Sequence, residues 1–146
     1  MRFDQAATLH THRGPQALRL QTANRAWSRL CGLIGSHPLE HAPVPQGLLI
    51  TRCPSVHSFF LRYTLDIVYV ATDTDFDDHR GGGEGTRFVV THTATLKPWR
   101  VSVGRRWQRV QQNGSQVLHS AHALELPAGS VVALGIAPGD RLEVRP

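Results

Sequence analysis

The sequence predicts a mainly β protein, built as a jelly-roll-like sandwich or a partly open barrel of short, mostly antiparallel strands with one or two short helices. Short runs rich in β-branched and aromatic residues alternate with turn signals along most of the chain. A hydrophobic fraction of 40% and a charged fraction of 18% are typical of a globular protein. The 146 residues fit one domain, and no linker divides them. We expect residues 17–146 to form a single β domain after a polar, loose segment over residues 1–16.

The first predicted elements are a strand and a helix. Residues 17–22 alternate between apolar and polar side chains, as in a half-buried strand. A short helix is expected over residues 25–34, with Asn24 as its N-cap and Gly35 at its end. The apolar stripe of this helix would consist of Trp27, Leu30, Cys31 and Ile34.

Strand signals dominate from Gly47 onward. The predicted strands cover residues 47–51, 56–62, 64–71, 87–93 and 141–144, with a further extended stretch over 116–126. Residues 99–103 and 107–112 are predicted to form a hairpin that turns near Gly104. A helical turn is expected over 127–134, because proline is favoured in the first turn of a helix. The Asp- and Gly-rich stretch 73–86 is predicted to be a mobile loop.

The charge balance and the cysteines bear on partners and compartment. The formal charge is +5, and all but one of the 16 basic residues are arginine. Arginine binds carboxylates and phosphates through two parallel hydrogen bonds, so the composition permits an anionic ligand, although a coding bias toward arginine would give the same excess. Cys31 and Cys53 match no zinc pattern and fit a reducing compartment. No targeting or membrane-spanning segment is visible, so we expect a cytoplasmic protein. We also expect no cofactor.

Seven sequence pieces, taken together in this order, resemble a known family. They are RLCGLIG (29–35), GLLI (47–50), CPSVHSFFLR (53–62), LDIV (65–68), KPWR (97–100), ALELPAG (123–129) and GIAPGDRL (135–142). The chain resembles the bacterial and archaeal family called domain of unknown function 192 over about residues 17–145. The resemblance implies a compact all-β domain of jelly-roll-like or barrel type. It implies no established reaction or ligand, and the chain departs from the family's usual short turn between Asp73 and Thr86.

The densest polar cluster on the predicted strands contains Cys53, His57, Arg62 and Asp66. Cys53 and His57 could form a thiolate–imidazole pair, as in a small hydrolase or transferase with a cysteine nucleophile. The alternative is a buried small side chain beside a hydrogen-bonded core histidine. No third residue that would orient the pair is identified, so the enzyme is the alternative prediction and not the leading one.

The leading prediction is a non-enzymatic binding or accessory module with a pocket for a small ligand, for which the arginine excess permits an anion. Its predicted lining residues are Arg29, His57, Arg62, Asp66, Trp99 and Arg100. In a competing interpretation, Arg62 and Asp66 form an ion pair that locks a strand connection, and Trp99 belongs to the core. Because perturbed ion pairs are often purely structural, that interpretation is favoured for this pair.

The loop over residues 73–84 carries a calcium-like spacing of carboxylates. Asp73, Asp75, Asp77 and Glu84 occupy positions 1, 3, 5 and 12 of an EF-hand loop. Position 6 is Asp78, where the sharp turn requires glycine, and both flanks are predicted strands and not helices. We therefore predict no metal site here.

The basic stretch 97–109 supplies a further alternative, which is nucleic-acid binding by the predicted hairpin. It holds five basic residues and two tryptophans, Trp99 and Trp107, and it has no acidic residue. Strand alternation would divide the arginines between two faces and dilute the patch. We therefore do not expect nucleic acid to be the main partner.

Overall fold

The N-terminal segment forms a strand hairpin. The computed structural model describes residues 3–23, 43–59, 61–73 and 85–146. Strands β1 (Gln5–Thr11) and β2 (Gly14–Ala23) are antiparallel neighbours. The prediction of a loose segment over 1–16 is therefore wrong. Ala7 and Leu9 alternate with polar residues, and burial of both side chains holds β1 in the sheet.

Nine further strands and one short helix complete the described part of the chain. The strands are β3 (Gln46–Ile50), β4 (Ser55–His57), β5 (Leu65–Thr72), β6 (Thr86–Leu96), β7 (Val101–Val103), β8 (Arg106–Gln111), β9 (Gly114–His119), β10 (His122–Pro127) and β11 (Arg141–Val144). Helix α1 (Ser130–Leu134) lies between β10 and β11 and confirms the predicted helical turn. The predicted helix over 25–34 falls outside the described residues.

Seven strands close into a barrel in the order β1-β11-β6-β5-β10-β3-β2, with β2 paired back to β1. Strands β2 and β3 are parallel, and the other pairs around the barrel are antiparallel. Closure removes the free sheet edges that an open sheet would expose. The mainly β, barrel-type fold predicted from the sequence is confirmed, with the barrel closed and not partly open.

Apolar side chains fill the inside of the barrel. This inner cluster draws its leucines from five strands and also contains Val68 and Val70 of β5. The leucines are Leu9, Leu18, Leu20, Leu49, Leu124, Leu126 and Leu142. Barrels of this size have interiors that side chains fill, so the inside is a packed core and not a channel.

A second cluster covers the outer face of the wall. Ile67 and Tyr69 of β5 point outward and pack with Val56 of β4 and Leu61. Strand β5 is therefore buried on both faces. Strand β4 pairs with β7 in a separate two-stranded sheet, called here the β4–β7 sheet.

The predicted hairpin between residues 99–103 and 107–112 is wrong. Strand β7 pairs with β4, and β8 pairs with β9. Between β7 and β8 the chain passes close over the barrel wall at Gly104. A Cβ at Gly104 would collide with Ser120 Cβ and lie 2.9 Å from Tyr69 Cδ1, so only glycine fits this crossing.

An ion pair and a small apolar cluster attach the β8–β9 hairpin to the barrel. Trp107 packs against a cluster that includes Val89 and Leu118. The Arg109 guanidinium contacts the Asp73 carboxylate at 3.2 Å, with 14% and 2% of the two side chains exposed. None of the helices in the described ranges has the length and apolarity to cross a membrane.

Candidate functional site

Asp66 has a structural role that the sequence did not reveal. The residue is 2% exposed, and its carboxylate accepts hydrogen bonds from the Thr95 hydroxyl at 3.2 Å and the Val131 backbone N–H at 2.8 Å. Val131 lies in the first turn of α1, where backbone amides lack partners within the helix. Asp66 thus fastens α1 to the barrel. The predicted ion pair with Arg62 is wrong, because Arg62 is exposed and the carboxylate bonds elsewhere. Asp66 is also too buried to line a ligand pocket.

Cys53 and His57 occupy different surroundings. Cys53 is half-buried against the outer cluster, and its thiol donates a hydrogen bond to the Ser55 carbonyl oxygen at 2.9 Å. His57 is exposed at the end of β4, where its ring stacks on Phe59 with centroids 5.0 Å apart. A hydrolase or transferase that uses these two residues stays a prediction.

Buried Ser58 organises the turn that carries Trp99. The Ser58 hydroxyl donates to the Lys97 carbonyl and accepts from the Arg100 backbone N–H at 2.9 Å. The Ser58 carbonyl accepts from the Trp99 backbone N–H at 3.1 Å. These bonds hold Trp99 at a φ of 60°, a left-handed conformation that bulky residues rarely adopt. Strain of this kind is found where the surrounding structure fixes a side chain in place.

Trp99 belongs to an exposed row of rings. Trp99 is 55% exposed and Phe59 is 38% exposed, and their ring centroids are 6.0 Å apart. With His57 they form what we call the aromatic row. The interpretation of Trp99 as a core residue is wrong, because the Ser58 hydrogen bonds turn its side chain outward. Val101 and Val103 of β7 add exposed apolar surface, with 58% and 62% exposure.

A groove lies between the outer face of β6 and β7. It is an open groove with a volume of about 510 Å³. His92 and Ala94 of β6 and the side chains of β7 line it, together with three cationic residues. These three are Lys97, Arg100 and Arg105, all exposed. None of the described residues that line this groove, called here the basic groove, is acidic.

His92 gives the basic groove a titratable group. Burial lowers the pKa of His92 below its ordinary value, and the nearby Arg105 guanidinium lowers it further. The His92 ring stacks on the buried Tyr69 ring, with centroids 5.9 Å apart. The imidazole is therefore mostly neutral at pH 7, and it gains a positive charge only at lower pH.

The remaining predicted site residues divide into two groups. Arg29, Asp75, Asp77 and Glu84 lie outside the described residues. Asp73 is described, and its carboxylate is held in the buried ion pair with Arg109 and not in an open metal loop. Within the described ranges no group of three or more metal-ligating side chains is found.

The structure brings Trp99, Arg100 and His57 together and leaves Asp66 apart from them. Phe59 and His92, which also belong to this surface, and buried Ser58, which supports it, were not predicted from the sequence. One signal was available, since the chain has no Asp or Glu between Glu84 and Glu125. This acid-free stretch includes every described residue that lines the groove.

Comparisons with known proteins show the fold and no function. No family model and no curated protein matches the chain, so the resemblance to domain of unknown function 192 stays a prediction. The barrel is similar to a solved protein from Sinorhizobium meliloti 1021 described as a "putative transcription regulator" (TM-score 0.63, 23% identity, 96% of this chain and 92% of that one). It is also similar to a protein of unknown function from Novosphingobium aromaticivorans (TM-score 0.61, 19% identity, 94% of this chain and 82% of that one). The chain therefore shares a barrel fold with these two proteins.

Proposed function

We propose that this protein is a non-enzymatic binding module that takes an anionic ligand in the basic groove. One observation carries the proposal. Lys97, Arg100, Arg105 and His92 line a groove of about 510 Å³ whose described lining contains no carboxylate. Three cations held close together repel one another, and an anion between them removes that repulsion and accepts charge-assisted hydrogen bonds.

The scaffold around the groove supports this proposal. Arg100 sits in the turn held by Ser58, and β7 is paired along its length with β4. Strand β6 forms the floor of the basic groove and is paired over most of its length with β5 in the barrel wall. A groove built on such elements is already formed before the ligand arrives, which lowers the entropic cost of binding.

The test is a calorimetric titration with inorganic pyrophosphate at low salt. We expect the wild type to bind and Arg100→Gln to bind about tenfold more weakly, the loss typical of one charge-assisted hydrogen bond. Arg19→Gln is the matched control, because Arg19 is exposed on β2, which lies three strands from β6 in one direction around the barrel and four in the other. Equal affinities of the two variants, or no binding by the wild type, would refute the proposal.

The pH dependence gives a second measurement on the same complex. Protonation of His92 adds a cation beside the anion, so the wild type should gain affinity relative to His92→Gln as the pH falls through the lowered pKa of His92. The comparison cancels the protonation of pyrophosphate itself, which is the same for both proteins. Tyr69 and Arg105 face the same ring, and neither changes charge between about pH 5 and 7. Equal pH profiles for the wild type and His92→Gln would show that the anion does not sit against His92.

A further inference from the structure

The aromatic row and the basic groove lie side by side on one surface. Lys97 and Arg100 line the groove, and Trp99 lies between them in the sequence and belongs to the row. Phe59 reaches the same place from the segment after β4, because Ser58 joins the two segments by hydrogen bonds. Stacking surfaces and cations therefore alternate within one short turn.

We propose that the anionic ligand is a single-stranded nucleic acid, with its phosphates in the basic groove and its bases stacked on Phe59 and Trp99. This inference rests on the proposed function, because it uses the same groove. Proteins that bind single strands combine a positively charged groove with aromatic side chains that stack on successive bases. Both parts are present, and the Ser58 hydrogen bonds hold the turn that carries Trp99 before any ligand arrives.

The charge of the neighbouring surface agrees with a polyanion larger than one phosphate group. Segments 43–64 and 85–124, which carry the aromatic row and the basic groove, contain no Asp or Glu. The same two segments also contain the exposed arginines Arg52, Arg62 and Arg106. This excess of cations over carboxylates on the two segments suits a phosphate backbone better than an isolated anion.

An anionic membrane surface is the main competitor, since Val101 and Val103 are exposed beside Trp99. Membrane-inserting surfaces place an apolar face beneath a separate polar one. Here Arg100 stands between Trp99 and Val101 in the sequence, and the polar ring of His57 belongs to the row. Alternation of cations and rings favours a strand of alternating phosphates and bases.

The experiment measures fluorescence anisotropy of a labelled 12-nucleotide oligo-dT, beside calorimetry with inorganic pyrophosphate. Trp99→Ala should weaken oligo-dT binding about tenfold or more, as expected when one stacked base is lost, and leave pyrophosphate affinity within about twofold. Trp99→Phe should restore most of the oligo-dT affinity. Arg100→Gln should weaken both ligands and reduce the salt dependence of oligo-dT binding by about 0.7 in log–log slope. Val110→Ala, at an exposed position of β8, is the control for loss of surface apolar area.

Distinct results separate failure of this inference from failure of the proposed function. If pyrophosphate binds and oligo-dT does not, or if Trp99→Ala leaves oligo-dT binding unchanged, the inference is wrong and the anion site stands. If pyrophosphate does not bind, the proposed function fails, and the inference fails with it. Equal affinity for the duplex form of the oligonucleotide would contradict base stacking. Binding to vesicles of 30% phosphatidylserine that depends on Trp99, without oligo-dT binding, would assign the surface to membranes.

Discussion

The barrel wall at β5 and the β4–β7 sheet above it consist of similar short strands, but they differ in the burial of their side chains. Strand β5 buries both faces, including the carboxylate of Asp66, which has two hydrogen-bond donors. The β4–β7 sheet buries Val56 on one face and leaves Val101 and Val103 exposed on the other. In the wall, polar groups require partners inside the molecule. On the sheet, exposed apolar side chains are available to a partner outside it.

Glu125 should cause the largest change of stability in the barrel wall. It is 3% exposed, and among the described residues nothing donates a hydrogen bond to its Oε2. Burial raises the pKa of Glu125 to about 8 from an ordinary value of 4.5. The folded state therefore binds this proton more tightly than the unfolded state, and stability should fall as the pH rises from 4.5 to 8.

The check is urea unfolding at pH 5 and pH 8.5, for wild type and Glu125→Gln. The wild type should lose stability relative to the variant at the higher pH, by at most ~5 kcal/mol, at about 1.4 kcal/mol per pKa unit. His92 and His122 also have lowered pKa values through burial, and the comparison cancels their contribution. Parallel pH profiles of the two proteins would contradict the burial of a neutral Glu125.

Breaking the ion pair between Arg109 and Asp73 should cause the next-largest loss of stability. Arg109→Ala leaves the buried Asp73 carboxylate without its cation, and removing one partner of such a pair costs about 3 kcal/mol or more. Arg106 is exposed on the same strand, so Arg106→Ala is the matched control and should cost less than about 0.5 kcal/mol. Equal unfolding midpoints in urea for the two variants would show that the ion pair contributes nothing to stability.

Replacement of Asp66, also in the barrel wall, should cost less stability than replacement of Arg109. Asp66→Ala removes both hydrogen bonds and leaves the Val131 N–H without its partner, at an expected cost of about 2–3 kcal/mol. Asp66→Asn keeps one acceptor oxygen and should cost less. The measurement is the urea midpoint with an unchanged slope. A midpoint for Asp66→Ala equal to that of wild type would mean that α1 does not depend on this carboxylate.

Replacement of Trp99, in the turn before the β4–β7 sheet, should change stability least. The change in stability should also be independent of the loss of binding. Trp99→Gly and Trp99→Ala both remove the ring, but glycine adopts the φ of 60° without steric cost. The glycine variant should therefore be more stable than the alanine variant by about 1 kcal/mol. Both should lose oligo-dT binding to the same extent. If alanine proved as stable as glycine, the turn would carry no strain at Trp99.

Local sequence patterns determined most of the barrel. Alternation placed Ile67 and Tyr69 on one face of β5 and Val68 and Val70 on the other, because successive side chains of a strand point to opposite sides. Turn residues and proline located α1 and β11. Strand β1 was missed because its polar residues outnumber the two buried ones, Ala7 and Leu9.

The candidate site was predictable only in part, because it depends on contacts between distant segments. The sequence identified His57, Trp99 and Arg100 as site residues by type, and the structure places them on one surface. Ser58 lies about 40 residues before Trp99 and holds the conformation of Trp99 through hydrogen bonds. No local sequence pattern predicts these bonds. The partners of Asp66 were equally hidden, since Val131 lies 65 residues along the chain.

Composition and alternation thus determined which residues are apolar, which segments are extended and that the chain is basic. Only the tertiary structure decided which strands pair, which carboxylates are buried and which rings face solvent. Strand β7 shows the reason. Its three residues would suit a hairpin with β8 as well as a pairing with β4. The choice depends on the close crossing at Gly104 over Tyr69 and Ser120, and the contacts of that crossing join residues far apart in the chain.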